Sequence, residues 1–239
     1  MGIRPQGRRN PDGHPSLGAN IDVAFLVAGA DGDFNLRRLE RYLIQARDGG
    51  ATPVALLNKS DLVWADVLEA RSSTIAALAP DLAVFPVCAR SGAGLGALAP
   101  LLTPDRTLAL LGSSGVGKST LANALLGRPL QETRAVREDD SRGRHTTTGR
   151  RLLRLPGGAY LLDTPGMREP ALWSDGETVL DVFADVRETA LGCRFRNCRH
   201  DREPDCAVNR AVSEGTLDAK RVRSFRKLAD EAGGRRAHL

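Results

Sequence analysis

Residues 112–127, GSSGVGKSTLANALLG, hold a Gly112-x4-Gly117-Lys118-Ser119 pattern that constrains this chain more than anything else in it. Such a loop works only between a strand and a helix. Its glycines let successive backbone N–H groups turn inward around phosphate oxygens, and the helix that follows aims the positive end of its dipole at the same charge. The flanks agree: RTLALLG reads as an apolar strand before the loop, and an apolar helix after it stops at Gly127. Gly112, Ser113, Ser114, Gly115, Val116, Gly117, Lys118, Ser119 and Thr120 are therefore the expected phosphate-binding set. Lys118 supplies a full positive charge to the β- and γ-phosphates of a nucleotide, and the Ser119 hydroxyl can ligate Mg²⁺.

A second motif, NKSD at residues 58–61, ends the apolar run TPVALL. A carboxylate at Asp61 can accept from both N1–H and the exocyclic amine of guanine, a donor pair that adenine lacks at that edge. Asn58 can bond the base elsewhere, the Lys59 stem can pack along the ring, and Ser60 completes the loop. A site built from such polar partners rejects a base that leaves them unpaired. CARSG, residues 88–92, ends another strand, and the Ala89 backbone is expected to support the guanine edge. DTPG, residues 163–166, ends the apolar AYLL run; there Asp163 can reach Mg²⁺ through water and the Gly166 N–H can face the γ-phosphate. Between the phosphate-loop helix and DTPG lies a polar, charged, aperiodic stretch, 131–149, expected to be a loop. It carries Thr146–Thr148; one of these, with Thr147 favoured, can ligate Mg²⁺ and sense the γ-phosphate.

The order of these motifs is unusual. Along the chain they run NKSD, CARSG, phosphate loop, HTTT, DTPG. A usual GTPase runs phosphate loop, Thr, DxxG, NKxD, SA. The two are the same cycle cut at a different place, and a cut at the surface leaves strand positions in the sheet unchanged. The segment after DTPG, which ordinarily moves with nucleotide state, then leads into the C-terminal part of the chain. We expect this to couple γ-phosphate sensing to whatever residues 189–239 bind. In Ras-like enzymes a Gln follows DxxG and orients the attacking water. Met167 stands there, and the chain's glutamines, Gln6, Gln45 and Gln131, are elsewhere. Slow intrinsic hydrolysis of the GTP β–γ phosphoanhydride follows. Two readings of His145 stand side by side: it swings in to position water, or it is an exposed loop histidine.

Cys193-x4-Cys198-x-His200-x5-Cys206 places three thiols and an imidazole together amid Arg and turn-formers. Cys₃His is a frequent tetrahedral set for structural zinc, and four protein ligands leave no open position for catalysis. The residues between are too polar to form a core, so the metal would supply the stability. Cys88 sits in an apolar strand and is expected to pack in the core. Residues 193–239 hold twelve Lys and Arg against seven Asp and Glu, which carries the whole formal net charge of +5. A nucleic-acid contact surface requires such a local excess. A plain arginine bias competes with that reading, since only four of the 34 basic residues are Lys.

Strands alternate with helices from residue 21 onward, predicting a mostly parallel sheet covered on both faces. LGALAPLL reads as a short helix, ETVLDVFADV as helical, and TLDAKRVRSFRKLADEA as a terminal helix. The expected organisation is a tail at 1–20, a nucleotide domain at 21–188 and a small helical zinc-binding domain at 189–239. No run is long and apolar enough to span a membrane, and MGIRPQGRRNPDGHPSLG is not of secretory type.

With the permuted order, GSSGVGKST, GRHTTTG, DTPGMRE and this Cys₃His spacing, the chain resembles the ribosome small-subunit-dependent GTPase A (RsgA) family over about residues 20–232. The resemblance implies an α/β, circularly permuted P-loop GTPase domain followed by a zinc-binding domain. It implies a cytoplasmic enzyme that uses GTP/GDP, Mg²⁺ and one structural Zn²⁺; a monomer is expected. Its partner would be the 30S ribosomal subunit and its 16S rRNA, acting late in subunit maturation with turnover stimulated by the subunit. It places the water-positioning role on His145. The family usually begins with an OB-type barrel contacting rRNA, and about 20 residues before the first strand are too few for one. A competing reading is a GTP-gated RNA- or ribosome-binding module with negligible catalysis; a third is a permuted GTPase acting on another RNA or subunit.

Overall fold

In the computed structural model the described residues are 20–129, 151–163, 174 and 176–232. Six strands form one sheet: β1 (Val23–Gly29), β2 (Thr52–Asn58), β3 (Ala83–Pro86), β4 (Thr107–Leu111), β5 (Arg151–Arg154) and β6 (Tyr160–Asp163), in the order β3-β2-β1-β4-β6-β5. Every neighbouring pair is parallel except β5–β6, an antiparallel pair closed around Gly157 and Gly158. Strands β1 and β4 are central, and parallel strands buried on both faces need continuous apolar sequence, which VAFLVAG and TLALL supply.

Alternate residues of each strand enter two separate cores. Val23, Phe25 and Val27 of β1 join Leu108 and Leu110 of β4 under helix α3 (Lys118–Leu126) and the turn at Leu95–Leu101. Ala24, Leu26 and Ala28 face the other side, with Ala109 and Leu111. That side is covered by α1 (Leu36–Asp48), α2 (Ala65–Ala76), α4 (Glu177–Val182), α5 (Ala184–Ala190), α6 (Ala207–Ser213) and α7 (Ala219–Glu231). Asn35 caps α1, accepting from the Arg37 and Arg38 N–H groups at 3.0 and 3.3 Å.

The structure refines two local readings and corrects a third. The short helix expected at LGALAPLL is there as a 3₁₀ helix, Leu95–Leu101, with Pro100 inside it. ETVLDVFADV is two helices, because the backbone breaks at Phe183 (φ −109°, ψ 45°). The break turns the Phe183 ring into the core, 5.6 Å from the ring of Phe225. Strand β3 ends at Pro86, so buried Cys88 packs beyond the strand, bridged to Ala93.

The C-terminal helices share the core of the sheet: Val222, Phe225 and Leu228 of α7 lie in one cluster with Leu39, Leu43 and Ala46 of α1. A polar clasp reinforces this contact. Glu40 of α1, fully buried, accepts from Arg37, from the Ser224 hydroxyl and from Arg221 Nη1 at 3.2 Å. Arg221 also binds Asp185 through Nε and Nη2 (2.6 and 2.8 Å) and the Val182 carbonyl (2.9 Å), and lies over the Phe183 ring. Burial pushes the Glu40 carboxyl above its ordinary range, and Ser224 and the two guanidiniums oppose that shift. Removing one partner of a buried pair leaves the others uncompensated. Glu40→Ala is thus expected to cost about 2–3 kcal/mol in urea unfolding, with Glu40→Gln losing less because it keeps hydrogen-bonding capacity.

Candidate functional site

Parallel strands place the loops that follow them along one edge of the sheet, where open α/β sheets bind ligands. The phosphate loop follows β4, NKSD follows β2, CARSG follows β3, and DTPG begins at the end of β6. Two glycines of the phosphate loop have no substitute. A Cβ on Gly112 would lie 2.7 Å from the Val27 carbonyl oxygen and 2.9 Å from Val116 Cγ1. Gly117 has φ +101°, and a Cβ there would lie 2.4 Å from Asn58 Nδ2. Val116 is buried beneath the loop, whereas Ser114, Gly115, Ser119 and Thr120 face solvent. Lys118 Nζ donates to the Gly112 and Ser113 carbonyls, both at 2.7 Å. This holds the ammonium over the loop, and burial lowers its pKa from the ordinary lysine value. The first N–H groups of α3 have no partner inside the helix and open toward the loop, which makes this end an anion receptor.

Asn58 joins the loops. It is 2% exposed; its Nδ2 donates to the Val116 carbonyl and its Oδ1 accepts from the Ala89 N–H, each at 2.9 Å. The sequence suggests a base-binding role for Asn58 and for the Ala89 backbone; in the structure these groups bind each other and the phosphate loop. One amide hydrogen and one carbonyl lone pair of Asn58 remain for a ligand. Ser60 N–H donates to the Val87 carbonyl at 3.2 Å, and Asp61 is exposed in the 3₁₀ turn Ser60–Leu62. Lys59 adopts the left-handed conformation (φ 62°), and its ammonium pairs with Asp31 at 2.7 Å. Asp31 is the residue sequence reasoning missed: it lies in the turn after β1, in no motif, and no spacing announces it. The Asp163 backbone closes β6, while its side chain and His145, Thr146–Thr148, Gly166 and Met167 lie outside the described residues.

A second cluster gathers at the start of α6. Cys193, Cys198, His200 and Cys206 bring one ligand atom each to within 4.8 Å of one another. Cys193 Sγ and Cys206 Sγ are 3.8 Å apart, and His200 Nδ1 stands 3.6 and 3.5 Å from them. A zinc tetrahedron with ordinary bond lengths has S–S edges of about 3.8 Å and S–N edges of about 3.6 Å, so the residues fit the metal. Burial, reinforced by Cys206 and Cys193, pushes the Cys198 thiol up to about 12, and a bound cation would favour its thiolate form. Local chemistry shapes the loop. His200 takes a left-handed turn (φ 59°), Cys206 Sγ caps α6 through the Asn209 N–H, and Glu203 accepts from the Arg199 and Asp201 N–H groups at 2.9 Å. Those N–H groups hold the Glu203 carboxyl down at about 2. Arg194, Arg196, Arg199 and Arg202 are exposed around it.

Comparison with known proteins places this arrangement. A family model described as RsgA GTPase matches residues 4–173. The chain belongs to the RsgA GTPase family. The small ribosomal subunit biogenesis GTPase RsgA of Opitutus terrae is 51% identical over 222 residues, spanning 92% of this chain and 60% of that protein. The chain thus spans about three fifths of the length of that relative. The crystal structure of YjeQ from Thermotoga maritima superposes with a TM-score of 0.64 at 26% identity, covering 91% of this chain and 73% of that one. That of YloQ, described as a circularly permuted GTPase, shares the fold with a TM-score of 0.62 at 24% identity, covering 92% and 71%. The RsgA-family fold seen here is therefore a permuted P-loop GTPase sheet carrying a C-terminal Cys₃His cluster able to hold zinc.

Proposed function

We propose that the chain binds GTP and GDP along this sheet edge and hydrolyses GTP, with turnover stimulated by the 30S ribosomal subunit and used to time release from it. The observation that carries the reading is Asn58, whose side chain fastens the phosphate loop to the loop after β3. One nucleotide can then touch Gly112–Thr120 with its phosphates and Asn58–Asp61 with its base. Lys118 faces the β- and γ-phosphates, Asp61 reads guanine, Gly166 N–H meets the γ-phosphate, and His145 positions water. Ser119, Thr147 and, through water, Asp163 would hold Mg²⁺, which supplies charge neutralisation at the β- and γ-oxygens. Zinc held by Cys193, Cys198, His200 and Cys206 orders residues 189–239 as a unit beside the nucleotide domain at 21–188. The exposed arginines of this unit contact 16S rRNA. The name of the Opitutus relative, a small ribosomal subunit biogenesis GTPase, supports that partner. No helix among the described residues is long and apolar enough to cross a membrane; a monomer working in the cytoplasm fits the reading.

Met167 in place of a water-orienting Gln favours a second reading, a GTP-gated ribosome-binding module with negligible catalysis. GTP turnover with and without purified 30S subunits separates the two: stimulation supports the enzyme, while GTP-dependent binding without stimulation supports the module. Asp61→Asn tests the base assignment. Loss of a charge-assisted hydrogen bond of about 1.5–3 kcal/mol should weaken GTP roughly ten- to a hundredfold and favour xanthosine triphosphate. Unchanged GTP affinity would remove Asp61 from the site.

A further inference from the structure

We propose that Asp31 is a positioning residue of the nucleotide site, its carboxylate holding the Lys59 ammonium so that the Lys59 stem lies ready along the purine ring. This rests on the guanine-site reading above and adds a residue to it. Side-chain contacts and one open space build the device. Asp31 Oδ2 and Lys59 Nζ are 2.7 Å apart, with both side chains only about a quarter exposed (25% and 27%). Asp31 Oδ1 accepts from the Asp33 N–H at 3.3 Å, which fixes the carboxylate plane. Arg71 of α2 fastens the turn from outside, donating to the Ala30 and Asp31 carbonyls while lying 5.1 Å over the Phe34 ring. Gly29 leaves the space the carboxylate needs: a Cβ there would lie 2.4 Å from Asp31 Oδ1.

The consequence follows from conformational entropy. A free lysine gives up rotamer freedom when its stem is pinned against a ligand. Here Lys59 is fixed at both ends, by its left-handed backbone and by Asp31, so the ordering precedes binding. Asp31 itself is held below the ordinary carboxylate range, chiefly by the hydrogen bond from Lys59.

Titration with a fluorescent GDP analogue on Asp31→Ala, Gly29→Ala, Lys59→Ala and the Asp31→Ala/Lys59→Ala double variant tests the assignment. Asp31→Ala and Gly29→Ala should each raise Kd about fivefold, as expected of a partly buried ion pair that orders a side chain. In the Lys59→Ala background Asp31→Ala should change Kd less than about twofold, because its effect passes through Lys59. A purely structural role for Asp31 would give the same loss in both backgrounds, and that result, or an unaltered Kd in the single variants, overturns the proposal. Gly29→Ala guards against a misfolded Asp31→Ala, since it displaces the carboxylate without removing it. Asp61→Asn, run alongside with xanthosine diphosphate, separates the two levels. If base preference does not move, the guanine reading falls and the Asp31 assignment falls with it; if it moves while the cycle shows no coupling, only the Asp31 assignment falls.

Discussion

Asn58→Ala should weaken GDP binding more than a hundredfold and lower the stability of the protein as well. The side chain is buried and ends in two hydrogen bonds, to the Val116 carbonyl and from the Ala89 N–H. Alanine strips both, leaving a donor and an acceptor out of reach of water. Each such group costs about 1–3 kcal/mol, so the pair comes to about 2–6 kcal/mol. The loss acts on function because Val116 is in the phosphate loop and Ala89 in the loop after β3, and the Asn58 side chain is the hydrogen-bonded bridge between them. Gly117 shows how close the fit is, since the Asn58 amide occupies the space a Cβ would fill. Asn58→Asp is the informative companion: it keeps the shape but presents an acceptor to the Val116 carbonyl, and should be nearly as damaging. Equilibrium titration with GDP, set beside urea unfolding, reads both effects. An affinity within threefold of wild type would show that the loops hold their places without the bridge.

Metal removal should have the largest effect on stability. Structural zinc contributes about 10–16 kcal/mol to peptides that fold around it, and in the loop Cys193–Cys206 it would add to the hydrogen bonds that Glu203 makes to the Arg199 and Asp201 N–H groups. Part of that energy would reach the rest of the protein. The His200 ring lies 6.1 Å from Phe225, and Phe225 packs at a tilt against Phe183 within the core shared by α1 and α7. Loss of about 5 kcal/mol of coupled stability would lower Tm by about 10–20 °C in a chain of this size. Cys198→Ser or a strong chelator should give that shift, release one zinc per chain, and remove amide protection from α6 and the near end of α7. A protein purified without zinc, and indifferent to the chelator, would rule out the structural-metal reading.

Much of this was legible without coordinates because the informative features are local. A phosphate loop needs its glycines, lysine and serine in consecutive positions, and a Cys₃His knuckle needs its ligands within a short turn. The apolar runs of β1, β2 and β4 each identify a buried strand. The permuted order is also a property of the sequence alone, since it concerns only which motif precedes which. The helix break at Phe183 was not legible, because ETVLDVFADV has helical propensity throughout and only the ring of Phe225, distant in sequence, gives Phe183 a reason to turn.

The sequence by itself determined which motifs the chain carries: a phosphate-loop pattern, NKSD, a Cys₃His spacing and the order in which they come. Tertiary structure alone decided how they are joined. It placed the Asn58 amide between two loops, paired Lys59 with Asp31, and closed Glu40 and Arg221 between α1 and α7. The physical reason is distance along the chain. Residue type and spacing report interactions among neighbours, whereas a hydrogen bond between Asn58 and Val116 exists only once parallel strands bring their carboxyl ends to the same edge.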